Sequence, residues 1–195
     1  MIEDLFPVAL YHEQLNLNTE RMAKYCLDMQ KVFPGVVVSN NGGWQSPPLK
    51  GRHEPLEVLF SSIHKHAKIY QEILKFKHPL QINPLWININ GYKDYNIEHI
   101  HPHAVASGVF YIKIPPLDKN DGALKFVHPL GQFLEYDWPY DSVSEPNKYN
   151  TNRWFIPPKV NQLLLFPGWI NHTVTPHHVK DENRISISFN LTRLS

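Results

Sequence analysis

Three histidines stand out because their spacing could bring them onto one metal ion. His99 and His101 are two residues apart, so in an extended strand their side chains point to the same face, with Cα atoms roughly 6–7 Å apart. His172 follows the apolar run NQLLLFP and the short PGWIN segment. Neutral imidazoles are good ligands for iron, zinc, copper and nickel, and three protein ligands leave coordination positions open. The spacing therefore predicts a metal site at His99, His101 and His172.

The same segment contains an alternate ligand. His103 stands two residues after His101, just as His101 stands two residues after His99. Pro102 cannot donate a hydrogen bond to a β-ladder, so it marks a strand end or edge, where active sites are common. A simpler alternative is that these histidines lie on the surface or are hydrogen-bonded in the core and bind no metal.

The strand RISISFNL, near the C-terminus, predicts an anion site. Its alternation puts Arg184, Ser186, Ser188 and Asn190 on one face and Ile185, Ile187, Phe189 and Leu191 on the other. An arginine can bind a carboxylate through two parallel charge-assisted hydrogen bonds, and a nearby hydroxyl can donate another. The alternative is an edge strand whose polar face lies in water.

The first part of the chain predicts two amphipathic helices. Asn18 is a candidate N-cap for a helix from Thr19 to about Val32, because a Pro-Gly pair ends the apolar spacing shortly afterwards. A second helix starts near Glu54, with Pro55 in its first turn. The second helix should pack on a sheet.

From residue 80 onward the sequence is typical of an all-β unit, with short apolar or alternating runs between turn residues. The candidate strands are QINPLWININ, IEHIHP, SGVFYIKI, ALKFV, NQLLLFP and RISISFNL. The long connection from about Glu135 to Lys159, with Trp138 and Trp154, is a candidate lid, or else a disordered or structural connection. We expect a mainly β, α+β fold with helices behind a sandwich or barrel.

Composition narrows the function classes. At 195 residues and 42% hydrophobic, the chain is long enough for one core and short for two catalytic domains. A formal net charge of +1 does not indicate a nucleic-acid or membrane partner.

The sequence shows no signal peptide and no membrane-length apolar run, so we expect a soluble, cytoplasmic protein. Cys26, the only cysteine, excludes an intramolecular disulfide and fits a reducing compartment.

The order of these segments resembles the Fe(II)/2-oxoglutarate-dependent oxygenases. That family carries a His-x-Asp or related pair on one strand, a distal histidine, and an arginine or lysine soon after it, and HIH, His172 and Arg184 match this order. A closer resemblance is to a phage and bacterial branch with a His-x-His-Pro segment. It rests on the segments HIHPHAVASGVFYI, LLLFPGWINHTVTP, RISISFN and GGWQS.

The resemblance implies a fold and a domain organisation. The fold would be a double-stranded β-helix, or jelly roll, backed by helices. A single oxygenase domain would span 1–195, with a helical support region over 1–79 and the β-helix core over 80–195. If the chain is phage-encoded, it would act in the host cytoplasm.

The resemblance also implies the chemistry of the site. The three histidines would hold Fe(II), and Arg184, Ser186 and Tyr111 would bind 2-oxoglutarate. Oxygen and 2-oxoglutarate would be consumed, succinate and carbon dioxide released, and an unidentified substrate hydroxylated. The chain departs from the family at His101, which stands where a carboxylate is usual. The protein ligands are therefore one negative charge short, which should alter metal affinity and preference.

Two other functions compete with the oxygenase prediction. A cupin-like metalloenzyme would also place a His-x-His pair and a later histidine in a β-barrel. Cupins usually add a glutamate a few residues after the pair, whereas no acid occurs between His101 and Asp118. A non-catalytic jelly-roll binding module is the second alternative. The primary substrate and the oligomeric state stay open at this level.

Overall fold

Two antiparallel β-sheets form the body of the protein, whose computed structural model describes residues 2–193. In chain order, the elements are β1 (Tyr11–Gln14), α1 (Thr19–Val32), β2 (Asn40–Asn41), β3 (Trp44–Gln45), α2 (Glu57–Ile73), β4 (Leu80–Asn90), β5 (Tyr95–His99), β6 (Ala106–Lys113), β7 (Leu124–Val127), α3 (Gly131–Asp137), β8 (Arg153–Ile156), β9 (Gln162–Pro167), β10 (His172–Val174) and β11 (Arg184–Arg193). One sheet has the order β1-β9-β6-β11-β4-β3 and the other β2-β5-β10-β7-β8. The predicted mainly β jelly-roll fold with helices is confirmed.

The first two helices form where the sequence predicts. The side chain of Asn18 accepts a hydrogen bond from the backbone N–H of Arg21, which caps the first turn of α1. A short 3₁₀ turn at Glu54–Leu56, which contains Pro55, leads into α2. Both helices bury one face in the same apolar cluster as the six-stranded sheet; their buried members are Met22, Cys26, Leu59, Ile63, Ala67 and Tyr70.

Strand β11 lies in the middle of the six-stranded sheet, between β4 and β6. Its apolar residues, Ile185, Ile187, Phe189 and Leu191, are fully buried in the cluster that contains the helices. Its polar residues Arg184, Ser186 and Ser188 line a pocket to which both sheets contribute. The predicted alternation is confirmed, and the edge-strand alternative is wrong.

The HIH segment differs from the prediction. β5 ends at His99, so His101 lies beyond the strand, in the turn that leads to β6. The chain reverses at His103, whose φ of 69° falls in the left-handed region. The expectation that His99 and His101 share one strand face is therefore wrong. A proline at 102, which cannot donate to a ladder, is consistent with the early end of the strand.

The connection from Glu135 to Lys159 is more ordered than a single loop. It begins inside α3 and contains β8, which pairs with β7 in a register that puts Phe126 opposite Trp154. The alternative of a disordered connection is therefore wrong over β8. A four-residue strand gives almost no periodic signal of its own, because its stability depends on cross-strand partners far away in sequence.

The region before residue 80 is not purely helical, because it supplies β1 and β3 to one sheet and β2 to the other. The predicted boundary between 1–79 and 80–195 stays a prediction. The outermost residues of the predicted 1–195 domain, Met1, Leu194 and Ser195, lie outside the residues that the structure describes. No helix within residues 2–193 is long and apolar enough to cross a membrane.

Candidate active site

Three imidazoles meet at one end of the five-stranded sheet. His99, the last residue of β5, is paired in register with His172, the first residue of β10. His101 approaches from the turn, where its backbone N–H donates to the carbonyl of Gly168 at 2.8 Å. The three possible ligand nitrogens lie within 4.8 Å of one another, and the Nε2 atoms of His101 and His172 are 3.2 Å apart. This cluster could hold a metal ion.

Backbone carbonyls fix the tautomers of two of these histidines. Nδ1 of His99 donates to the carbonyl of Ile97 at 2.7 Å, and Nδ1 of His172 donates to the carbonyl of Ile170 at 2.9 Å. Since a carbonyl can only accept, the proton must be on Nδ1 in each ring. Each Nε2 is therefore unprotonated and carries a lone pair, which is the arrangement usual for histidines that bind metals.

The environment keeps the cluster uncharged. Burial, reinforced by the neighbouring imidazoles, lowers the pKa of His172 to about 3. Burial and the nearby His99 lower the pKa of His101 to about 4, and burial also lowers the pKa of His99. At neutral pH all three rings are therefore neutral, which is the form that coordinates metal ions.

Arg184 presents a buried positive charge to the same pocket. Only 2% of its surface is exposed, and no carboxylate among residues 2–193 lies within ion-pair distance of it. Its Nε donates to the carbonyl of Gly122 at 3.1 Å, and Nη1 donates to the hydroxyl of Ser186 at 3.1 Å. The guanidinium also lies 5.0 Å from the centroid of the Tyr111 ring. An unpaired buried charge is costly, so the site favours an anion.

The hydroxyl of Tyr111 is a second unpaired group in this pocket. It is fully buried and has no hydrogen-bond partner among the described residues. Burial raises the pKa of Tyr111, so at neutral pH its hydroxyl stays protonated and able to donate. One pocket is lined by the three histidines together with Arg184, Ser186 and Tyr111. The structure thus brings six of the seven predicted site residues together.

The seventh, His103, lies elsewhere. Its side chain is exposed and does not belong to the histidine cluster. Glu98, the acid next to His99, is also exposed and accepts a hydrogen bond from Asn171. Neither Trp138 nor Trp154 is among the residues that line the histidine pocket.

Several pocket residues come from β4 and were not among the predicted site residues. Trp86 stacks on His101, Asn88 donates to the hydroxyl of Ser188 at 3.0 Å, and the side-chain oxygen of Asn90 lies 3.5 Å from Nη1 of Arg184. The signal was present in WININ, where Trp86, Asn88 and Asn90 alternate with Ile87 and Ile89. That alternation resembles the one in β11, its neighbour in the sheet.

Several solved structures share the fold of this chain. A Pseudomonas putida prolyl-4-hydroxylase superposes with a TM-score of 0.64 at 13% identity, covering 95% of this chain and 93% of that one. A Trichoplax adhaerens prolyl hydroxylase, in complex with a peptide from hypoxia inducible factor, gives 0.60 at 14% identity, covering 95% and 83%. HygX from Streptomyces hygroscopicus, with nickel and 2-oxoglutarate bound, gives 0.60 at 9% identity, covering 95% and 83%. At sequence identities this low, the similarity of these structures shows only that this chain shares their fold.

The family is shown by the sequence itself. No curated protein matches the chain. The family model described as "Putative 2OG-Fe(II) oxygenase" matches residues 84–190, which are more than half of the chain and include both histidine segments and Arg184. The protein therefore belongs to this family and is an oxygenase that uses Fe(II) and 2-oxoglutarate.

Proposed function

We propose that His99, His101 and His172 bind the iron of this oxygenase. Arg184, Ser186 and Tyr111 bind the distal carboxylate of 2-oxoglutarate. The reaction hydroxylates an organic substrate. The observation that carries the proposal is the composition of one pocket. It combines three convergent neutral imidazoles with a buried guanidinium that has no carboxylate partner among residues 2–193.

The histidine cluster fits a metal ion. Two nitrogens bound at right angles to one ion, each at a metal–nitrogen distance of about 2.1 Å, lie about 3.0 Å apart. The Nε2 atoms of His101 and His172 are separated by 3.2 Å. Their neutral state and the anchored Nδ1 atoms of His99 and His172 meet the other requirements of imidazole ligands.

The other end of the pocket fits a carboxylate. The planar guanidinium of Arg184 has several N–H donors, and the Tyr111 hydroxyl beside it is a donor without an acceptor among the described residues. A carboxylate placed there would neutralise the buried charge and satisfy that hydroxyl at the same time. Ser186 adds a hydroxyl that already contacts Arg184 at 3.1 Å. A dicarboxylic acid with a second chelating end would therefore span from this point to the histidines.

In the mechanism, the residues of the chain hold the metal, orient the co-substrate and exclude water. When bound, iron and 2-oxoglutarate would supply the oxidising chemistry, in which one atom of molecular oxygen enters succinate as carbon dioxide is released and the other enters the substrate. Because the histidines contribute no negative charge, the site depends on an anionic co-substrate for charge balance. Arg184 and Ser186 orient that co-substrate, and the apolar side chains of Leu124, Phe166 and Val174 exclude water from the pocket.

The co-substrate assignment is tested by anaerobic titration of the iron-loaded protein with 2-oxoglutarate, monitored by visible charge-transfer absorption. Arg184→Ala should raise the Kd for 2-oxoglutarate by about 10- to 100-fold, since a hydrogen bond between charged groups contributes about 1.5–3 kcal/mol. Arg193→Ala, at the exposed end of the same strand, is the matched control. An unchanged Kd in Arg184→Ala would remove Arg184 from the site.

The metal assignment is tested by Fe(II) binding under the same anaerobic conditions. His172→Ala should weaken binding by more than about 100-fold, beyond the 10- to 100-fold usual for residues outside the ligand shell. His103→Ala should bind Fe(II) like the wild-type protein. If neither charge-transfer absorption nor succinate is found with the wild-type protein, a non-catalytic binding module becomes the better description.

A further inference from the structure

A second and larger cavity opens beside the histidine pocket. It has a volume of about 490 Å³, within the range of about 300–1,000 Å³ typical of small-molecule sites. One wall is the N-terminal segment 3–8, and the other is built from the ends of β7 and β8 and from Phe166 and Ile170. We call this cavity the aromatic groove, because Phe6, Phe126, Tyr149, Trp154 and Phe166 all line it.

The aromatic groove is adjacent to the histidine site. Phe166 lines both cavities. Its ring contacts the imidazole of His172 edge-on, with 4.9 Å between centroids, and the ring of Phe126 lies 6.2 Å from the same imidazole. A molecule in the groove would therefore be separated from the histidine cluster by the thickness of one ring.

The charges around the groove do not suit an anionic ligand. Its lysine and its arginine are already in ion pairs, Lys148 with Asp4 at 3.0 Å and Arg153 with Glu135 at 3.3 Å. The carboxylates that line it, Glu3 and Asp4, both belong to the exposed N-terminal segment. The part of the groove next to His172 is made of Phe126, Phe166 and Ile170, which carry no charge.

Aromatic surface is available for contact in this groove. Trp154 is 45% exposed and Tyr149 is 50% exposed, although both lie in a concave surface. Aromatic rings prefer offset-stacked or edge-to-face partners, and covering such surface is favourable. Trp138, which is 51% exposed, is a matched tryptophan that does not line the groove.

We propose that the aromatic groove binds the primary substrate through a neutral, planar aromatic group and guides it toward the histidine cluster past Phe166. This inference rests on the proposed function for its catalytic meaning. The binding itself depends on the groove residues and not on the metal ligands. The substrate class is an uncharged organic molecule with an aromatic ring.

Ligand-observed NMR with four matched probes tests this proposal on the full chain loaded with Mn(II) and 2-oxoglutarate. The probes are benzamide, cyclohexanecarboxamide, benzoate and benzylamine, which vary ring planarity and charge separately. Benzamide should bind more tightly than the other three. Trp154→Ala should weaken benzamide binding at least about fivefold, Trp154→Phe should retain most of it, and Trp138→Ala should leave it unchanged.

The 2-oxoglutarate affinity of each variant, measured alongside, separates this proposal from the function proposed above. Trp154→Ala should bind 2-oxoglutarate like the wild-type protein. Preferred binding of benzoate or benzylamine, or equal benzamide affinities in Trp154→Ala and the wild-type protein, would overturn the groove assignment whatever happens with 2-oxoglutarate. Benzamide binding that depends on Trp154 in a protein that fails to bind 2-oxoglutarate would support the groove and overturn the proposed function.

Discussion

The indole of Trp86 stacks on the imidazole of His101, with 5.7 Å between the ring centroids and 29° between the ring planes. His99 and His172 are oriented differently, each by a hydrogen bond from Nδ1 to a backbone carbonyl. Within residues 2–193, Nδ1 of His101 has no such bond. The His101 ring is thus held by its aromatic contact with Trp86 and by the backbone hydrogen bond from His101 to Gly168.

Replacing Trp86 should therefore weaken metal binding, although Trp86 is not itself one of the proposed metal ligands. We expect Trp86→Leu to raise the Kd for Mn(II) by roughly 10-fold, the lower end of the effect of residues that orient ligands. Trp86→Phe, which keeps a stacking ring, should restore most of the affinity. Isothermal titration calorimetry measures both, with Trp138→Leu as the control. Equal affinities in Trp86→Leu and the wild-type protein would show that the turn alone orients His101.

Tyr111→Phe should have opposite effects on folding and on ligand binding. The Tyr111 hydroxyl is buried without a partner, so its removal should leave the melting temperature of the ligand-free protein unchanged or slightly raised. If the hydroxyl donates to 2-oxoglutarate, the variant should bind that co-substrate about 3- to 10-fold more weakly, as expected for one lost hydrogen bond of about 0.5–1.5 kcal/mol. A lower melting temperature with unchanged affinity would give Tyr111 a purely structural role.

Gly168→Ala should displace the turn that carries His101. A Cβ at this position would lie 2.4 Å from the carbonyl oxygen of Ala104, which is backbone and cannot swing away. We expect a loss of stability of about 1–3 kcal/mol and weaker metal binding, because the Gly168 carbonyl also accepts from His101. Gly131→Ala, where the nearest atom would be 3.6 Å away, is the control. Urea unfolding and metal titration of both variants provide the comparison.

The Cys26 thiol should be unreactive toward thiol reagents in the folded protein. It is completely buried in α1, and burial raises the pKa of its thiol to about 12. The thiol therefore stays protonated well above neutral pH, and only the thiolate is nucleophilic. Labelling with a thiol-reactive disulfide reagent at pH 8 should be very slow in buffer and fast in unfolding concentrations of urea. Rapid labelling in buffer would mean that α1 detaches readily from the sheet.

Residue periodicity was sufficient to predict much of this architecture. Helices α1 and α2 and strands β4, β6, β9 and β11 follow from apolar spacing, because each buries one face in a continuous core. Arg184 was identifiable since it begins a strand whose polar residues alternate with buried ones. These are local patterns, and the elements they predict are long enough for the pattern to repeat.

The features that escaped prediction depend on contacts between remote residues. β8 is a strand only because β7 lies beside it. His101 reaches the cluster from a turn that is fixed by Gly168, 67 positions later in the numbering. The aromatic groove exists because the N-terminal segment lies against residues near Trp154. No short segment of the sequence contains both partners of any of these contacts, so local patterns could not predict them.

The histidine cluster has a consequence for the unfolding of the chain. His101 and His172 are 71 residues apart in sequence, so one ion bound by both closes a loop that contains β6, β7, β8 and β9. Such an ion acts as a reversible cross-link, and breaking β10 away from β5 requires that it be released first. If His101 and His172 bind the iron as proposed, its removal should therefore lower the free energy of unfolding of the region between β5 and β10.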